Sequence, residues 1–91
     1  MPKALRIFIP KETQAQTDVC VAHDLAYSEG GTRRDRAVAD ARLLLGLLET
    51  NMDVDLAERY HTAVRLFGKD HWFGGLYTDD LPNSTNGREA P

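Results

Sequence analysis

Three breaks divide this sequence into segments whose length and apolar spacing suit α-helices. Gly30-Gly31 ends the first segment, residues 51–53 separate the second from the third, and Gly68 ends the third. Residues that favour helix N-caps stand before these segments, namely Thr13 or Thr17, Thr32, and Asp53. Short connections make antiparallel neighbours the expected arrangement. The sequence therefore predicts a mainly α-helical fold, a three-helix antiparallel bundle.

Apolar residues three and four positions apart indicate the face that each predicted helix turns to the core. The first helix, from about residue 17 to 28, has the stripe Val19, Ala22, His23, Ala26 and Tyr27. The second, from 33 to about 50, has the stripe Ala37, Ala41, Leu44, Leu45 and Leu48. The third ends at Phe67 and directs inward Ala57, Tyr60, Val64 and Phe67.

The segments outside the helices differ from them in composition. Residues 4–9 are a short apolar run that ends at Pro10, so residues 1–16 are predicted to be a short extended N-terminal arm. Residues 17–77 form the helical domain, and residues 78–91 form an irregular polar C-terminal tail. The aromatic residues Trp72, Phe73 and Tyr77 are expected to fold back over the bundle, either as its lid or as anchors of an interface.

Charge and cysteine content exclude several classes of function. The 91 residues include 11 Lys or Arg and 14 Asp or Glu, which leaves a net charge of -3. This balance argues against nucleic-acid binding, which usually needs a basic surface. One cysteine forms no internal disulfide, so a reducing compartment is expected. Because no apolar run approaches about 20 residues and no signal-peptide core follows Met1, neither a transmembrane segment nor a signal peptide is predicted.

Three polar side chains on the first two helices form the candidate site. His23 and Tyr27 are one helical turn apart, and Asp40 can lie opposite them if the helices run antiparallel. A carboxylate that orients an imidazole is typical of a general base that takes a proton from water. More often, such a buried pair only fixes how two helices pack, because buried polar groups need partners. Asp24 could hold a metal beside His23.

His-Asp-x-x-Tyr at residues 23–27, with Ala39-Asp40 on the next helix, resembles the catalytic helix pair of the phospholipase A2 family. The resemblance covers roughly residues 19–48. It implies that His23 activates water and that Asp24 binds calcium, while Tyr27 and Asp40 support the histidine. The glycine-rich loop that completes the calcium and oxyanion sites of that family has no counterpart here, since no glycine precedes Gly30.

A second resemblance covers roughly residues 20–73. Uncharacterised small proteins of tailed phages are similar in the same His-Asp-x-x-Tyr turn and Ala-Asp helix. They also have a third helix that ends in Ala-Val-Arg-x-Phe-Gly, which residues 63–68 match, and an aromatic residue soon after, which Trp72 matches. This resemblance implies a phage or prophage gene product, located in the host cytoplasm or in the assembled particle.

Together these features predict a phage-type structural or accessory protein whose phospholipase-like core is catalytically incomplete. We expect it to bind a protein partner or further copies of itself through the arm, the aromatic segment and the tail, without nucleic acid and without a cofactor. The residues expected to contact partners are Trp72, Phe73, Tyr77, Arg33 and Arg34, and Arg36 belongs to the same basic cluster. The alternative is a minimal calcium-dependent lipid-ester hydrolase that acts on membrane lipid, with His23 as its base.

Overall fold

The computed structural model describes residues 12–80, which form three packed α-helices followed by three short 3-10 turns. The helices are α1 (Gln14–Glu29), α2 (Arg33–Glu49) and α3 (Val54–Phe67). The turns are Lys69–His71, Phe73–Gly75 and Thr78–Asp80. The predicted mainly helical bundle is confirmed. Residues 1–11 of the predicted arm and the tail beyond Asp80 lie outside the described residues, and the last three residues of that arm, 14–16, are helical instead, as the first turn of α1.

Side-chain caps determine where the first two helices begin. The hydroxyl of Thr13 accepts a hydrogen bond from the backbone N–H of Gln16 at 3.1 Å, and the Gln16 side chain accepts from the backbone N–H of Thr13. Thr32 and Asp35 make the same reciprocal pair at the start of α2. Each pair satisfies two backbone donors that the first helical turn leaves unpaired. Because Thr13 is the cap, α1 begins at Gln14, earlier than the predicted start near Thr17.

The connection between α1 and α2 depends on a glycine. Gly30 has φ 73° and ψ −161°, a backbone conformation that is accessible essentially only to glycine. A Cβ atom at this position would lie 2.5 Å from the Cβ of Phe73, because the aromatic segment crosses here. The connection therefore needs glycine both for its backbone angles and for space.

Gly30→Ala is expected to lower the free energy of unfolding by about 1–3 kcal/mol, through backbone strain and the clash with Phe73. Urea denaturation followed by circular dichroism measures the loss. Gly74→Ala is the reference, because Gly74, at φ 73° and ψ 18°, lies in the left-handed region that other residues can adopt, and no atom lies within 4 Å of the added Cβ. A loss at Gly30 no larger than that at Gly74 would show that neither the backbone angles of Gly30 nor its contact with Phe73 requires glycine.

The buried face of α2 differs from the predicted stripe. The helix buries Ala39, Leu43 and Leu47, whereas Ala37, Ala41 and Leu45 are exposed, and Leu44 and Leu48 are half-buried. Residues 43–48 include five leucines, which point in several directions around the helix. The apolar periodicity of this run therefore does not identify which face is buried. Charged residues decide the register, because Arg36 and Asp40 are also on the buried face.

The end of α3 departs from prediction at one residue. Ala57 and Val64 are buried and Tyr60 is half-buried, but Phe67, predicted to point inward, is 73% exposed. The next residue, Gly68, fills the inward position instead. A Cβ there would lie 2.5 Å from the carbonyl oxygen of Val64 and 2.8 Å from the hydroxyl of Tyr27. Its φ of −82° is ordinary, so close packing, not backbone conformation, explains the glycine.

The aromatic segment packs against the helices, as predicted. Trp72 and Tyr77 are buried with Tyr27 and Ala39 in a cluster separate from the leucine core. The Trp72 ring meets the Tyr27 ring edge-on with centroids 4.9 Å apart, and its Nε1 donates a hydrogen bond to the carbonyl of Gly31. Trp72 is thus a lid over the end of the bundle where α1 gives way to α2. Among residues 12–80, no helix combines the length and apolarity that crossing a membrane requires.

Candidate functional site

Asp40 is the centre of a polar network inside the bundle. Its side chain has no exposed surface. One carboxylate oxygen, Oδ1, accepts hydrogen bonds from Nε2 of His23 at 2.8 Å and from the hydroxyl of Tyr27 at 2.7 Å. The other oxygen, Oδ2, accepts from Nη1 of Arg65 at 2.7 Å. The predicted meeting of imidazole, phenol and carboxylate is therefore confirmed, and a guanidinium from α3 joins them.

Arg36 extends this network towards the aromatic segment. It is buried one helical turn before Asp40, and its Nε lies 3.8 Å from Oδ2 of that residue. Its Nε donates to the hydroxyl of Tyr27 at 2.8 Å, and its Nη1 donates to the hydroxyl of Tyr77 at 2.9 Å. Its Nη2 donates to the backbone carbonyl of Val64 at 2.6 Å. Arg36 therefore connects α1, α2, α3 and the aromatic segment.

Sequence reasoning missed both arginines of the network. Arg36 was grouped with Arg33 and Arg34 as a surface cluster, because cations at a helix start are unfavourable. The structure shows the compensation: Arg36 donates to a carbonyl in the last turn of α3, where the helix dipole is negative. The available signal was spacing, since Arg36 and Asp40 are four residues apart and share a helix face. For Arg65 no comparable signal exists, because its contact with Asp40 depends on how α3 packs.

The network determines which groups carry charge. Burial raises the pKa of Asp40, but hydrogen bonds from His23, Tyr27 and Arg65 outweigh it and hold that pKa below its ordinary value. Burial and the hydrogen bond to Asp40 raise the pKa of Tyr27 well above its ordinary value. Burial alone would lower the pKa of Arg36, but hydrogen bonds to the hydroxyls of Tyr27 and Tyr77 outweigh burial, and the pKa is above its ordinary value. At neutral pH the core therefore holds a carboxylate, a neutral phenol and a guanidinium.

The ionised Asp40 also assigns the tautomer of His23. A carboxylate only accepts hydrogen bonds, so Nε2 of His23 carries the proton that it donates to Asp40. In the neutral imidazole, Nδ1 then presents a lone pair. Within residues 12–80, Nδ1 makes no hydrogen bond. The ring has the orientation that a general base requires, although His23 is almost completely buried.

The high pKa of Tyr27 predicts a loss of stability in alkali. The folded protein keeps the phenol proton at a pH where the unfolded chain, with a tyrosine pKa of about 10, has lost it. Because the native state then binds more protons, the free energy of unfolding falls as the pH rises above about 10. Tyr27→Phe should be less stable at neutral pH, where its missing hydroxyl leaves Asp40 and Arg36 each without one hydrogen-bond partner, but should show a shallower decline. Urea denaturation at neutral and alkaline pH measures both slopes, and equal slopes would contradict the assignment.

An apolar groove of about 540 Å³ runs between α1 and α2 and reaches His23. Its walls come mostly from apolar residues, namely Val19, Ala22, Ala26, Val38, Ala39, Leu43 and Trp72. Three charged residues also line it: Glu29 and Asp35 at the end where α1 meets α2, and Arg42 further along α2. His23 therefore faces two ways: its Nε2 hydrogen-bonds to Asp40, and its side chain also contributes to the groove lining.

Asp24, which the phospholipase resemblance makes a calcium ligand, does not belong to this groove. It is buried and is absent from the groove's walls. Among the residues that the structure describes, no group of three or more His, Cys, Asp or Glu side chains could hold a metal ion. Calcium takes six to eight oxygen ligands, of which Asp24 supplies at most two, so the calcium role of Asp24 stays a prediction.

Of the residues expected at an interface, some are buried within the chain and others are exposed. Trp72 and Tyr77 are buried within the chain, which favours their role as a lid, whereas Phe73 is 58% exposed. Arg33 is exposed and makes a two-pronged ion pair with Asp80, at 2.6 and 2.8 Å. Thus the first residues of the predicted tail, Thr78–Asp80, pack on this chain's own bundle. Arg34 is exposed.

Comparisons with models of protein families, with curated proteins and with solved structures find no match for this chain.

Proposed function

We propose that this protein is a non-enzymatic structural or accessory protein of a phage-type assembly, in which the phospholipase-like core serves packing. The observation that carries the proposal is the complete engagement of Asp40. Both of its oxygens accept hydrogen bonds from side chains of α1 and α3, and no part of it reaches solvent. Such a network holds three helices in one arrangement, a role for which buried hydrogen-bonded polar groups are well suited.

The walls of the groove support the same view. Acyl transfer needs hydrogen-bond donors aimed at the developing oxyanion, usually the largest single contribution to catalysis. The groove is lined mainly by residues within α1 and α2, whose backbone N–H groups bond to carbonyls of their own helix. Arg42 is the one cationic donor in its walls among residues 12–80. His23 alone, without an oxyanion site, would be a slow catalyst.

Exposed apolar residues supply the docking surface in this proposal. Leu66, Phe67, Phe73 and Leu76 all follow Arg65 and are all largely exposed. They lie at the end of the bundle where α1 and α3 finish, around the segment that Arg36 and Trp72 hold in place. Exposed aromatic and leucine side chains on a rigid base are typical of protein interfaces. The resemblance to small tailed-phage proteins favours another phage protein as the partner.

Co-expression with the genes that flank its own tests the docking. We expect a flanking gene product to co-purify with the protein, and expect Phe67→Ser to weaken that association at least tenfold. Val54→Ser is the matched control, because Val54 is about as exposed but lies at the opposite end of α3. Loss of association in both variants, or in neither, would contradict docking through this end of the bundle.

A lipid-ester hydrolase is the second candidate, since the apolar groove reaches an imidazole held by a carboxylate. Vesicles of phosphatidylcholine with millimolar calcium test it. We expect no release of fatty acid above buffer from the purified protein, and no difference between it and His23→Gln. Calcium-dependent release that His23→Gln abolishes would overturn the non-enzymatic proposal.

A further inference from the structure

We propose that the groove face of α1 and α2 binds a second copy of this chain, forming a two-fold symmetric dimer. This inference goes beyond docking on other proteins and is tested on the purified chain alone. It rests on three features of the same face: the apolar groove, the distribution of charge along it, and the exposed ring of Phe73 at one end.

The face is apolar beyond the groove itself. Val38 belongs to the groove wall yet keeps 38% of its surface exposed, and Leu45, two turns further along α2, is 58% exposed. On the other side, Leu25 of α1 is half exposed. By helical periodicity these residues border the groove, so exposed apolar side chains lie on both of its sides. Burial of such a surface is favourable in water.

Charge along the groove fixes how two copies would face each other. Glu29 and Asp35 lie at one end, and Arg42 is seven residues, or about 10 Å, further along α2 than Asp35. A two-fold axis that crosses α2 near Val38 places the two α2 helices antiparallel. It puts Arg42 opposite Asp35 of the partner subunit and level with the partner's Glu29. Opposite charges therefore meet twice, once at each end of the interface.

The same two-fold axis also places the exposed ring of Phe73 near the partner subunit. This residue packs on Gly30 with a positive φ of 35°, and 58% of its surface remains exposed. A bulky residue in that backbone region is uncommon and is held there by its surroundings. Gly30 is level with the start of α2, so the two-fold axis brings Phe73 to the level of Leu45 of the partner subunit. Two exposed apolar side chains are then at the same level of the interface.

The size of the face sets the expected strength. With the axis near Val38, about 12 residues of each α2 overlap, about 18 Å of helix, and two adjacent helices are about 20 Å wide. Such a face is smaller than standard stable interfaces, which bury about 600–800 Å² or more on each partner. We therefore expect a dimer with a dissociation constant in the micromolar range, on the order of 1–100 µM.

Analytical ultracentrifugation of the full chain, from about 1 to 500 µM, tests the proposal. We expect the mass to rise from 10.2 kDa towards twice that value. Arg42→Glu and Asp35→Arg should each weaken the dimer at least tenfold, since like charges then meet at both ends. An equimolar mixture of the two variants should restore it, because residue 42 of each chain then faces an opposite charge at residue 35 of the other. Circular dichroism confirms that both variants fold.

Arg59→Glu is the matched control, because it makes the same charge change on the exposed face of α3. It should dimerise like the unaltered chain. A chain that stays monomeric at the highest concentration overturns the proposal, whatever else covers the groove. So does a dimer that Arg42→Glu and Arg59→Glu affect equally, or a mixture of charge variants that does not associate.

Discussion

Asp40→Ala is expected to lower the free energy of unfolding by about 3–5 kcal/mol, because removing one partner of a buried ionic network leaves the others uncompensated. His23, Tyr27 and Arg65 each lose their acceptor, and the charge of Arg36 loses its neighbouring carboxylate. Small domains have total stabilities of about 5–15 kcal/mol, so this variant should unfold at markedly lower urea concentration. Urea denaturation followed by circular dichroism gives the value.

Asp55→Ala is the control for that measurement. Asp55 is an exposed aspartate in the first turn of α3, where its contribution to the helix dipole is about 0.3–1 kcal/mol. If Asp40→Ala costs no more than Asp55→Ala, the Asp40 network does not hold the helices together.

Trp72→Ala is expected to cost about 3–5 kcal/mol, the usual range for removing a fully buried large aromatic side chain. The ring packs edge-on against Tyr27, and its Nε1 donates to Gly31. Its loss therefore opens a cavity directly above the polar network and removes one of two hydrogen bonds to the Gly31 carbonyl, which still accepts from the backbone N–H of Thr78. Circular dichroism is the appropriate probe, because Trp72 is the only tryptophan of the chain.

Phe67→Ala is the control for Trp72→Ala, because it removes an aromatic side chain that is exposed instead of buried. Phe67 is the most exposed of the chain's described aromatic side chains, so its removal should change the free energy of unfolding by no more than about 0.5 kcal/mol. A loss at Phe67 as large as that at Trp72 would mean that the end of the bundle packs differently from the structure described here.

Local sequence signals predicted the helices and the heart of the site. The cap at Thr32 and the breaks at Gly30-Gly31 and Gly68 act within a few residues, so they are visible in the sequence. The meeting of His23 and Tyr27 with Asp40 followed from helical spacing and an antiparallel connection alone. These inferences needed no knowledge of how the third helix packs.

Features that depend on the whole fold were not predictable in this way. The register of α2 follows from burying Arg36 and Asp40, and that burial is possible only because α1, α3 and the aromatic segment supply their partners. A pattern of apolar residues treats both as surface positions. Phe67 is exposed for a similar reason, since the space inside is taken by the close approach of Gly68 to the network.

We assign different roles to the polar core and to the exposed surfaces: the core fixes the arrangement of the helices, and the surfaces contact partners. Asp40 and Arg36 hold the helices and the lid in one arrangement, so the apolar groups outside them are presented on a rigid base. Chemistry at His23 would need water and an oxyanion site in the groove. A second copy seated on that groove would instead cover the imidazole. Association, not hydrolysis, is therefore the activity that we propose.

The ionisation of Asp40 tests the central claim most directly. Carbon-13 NMR of side-chain carboxyls, with Asp40→Asn to assign the signal, follows its titration in the folded protein. We predict that Asp40 titrates below the ordinary aspartate pKa of about 3.9, so that its contribution to stability is present above that pH and is lost as the pH falls through the lower folded value. An Asp40 that titrates at or above the ordinary value while the protein remains folded would contradict the network described here.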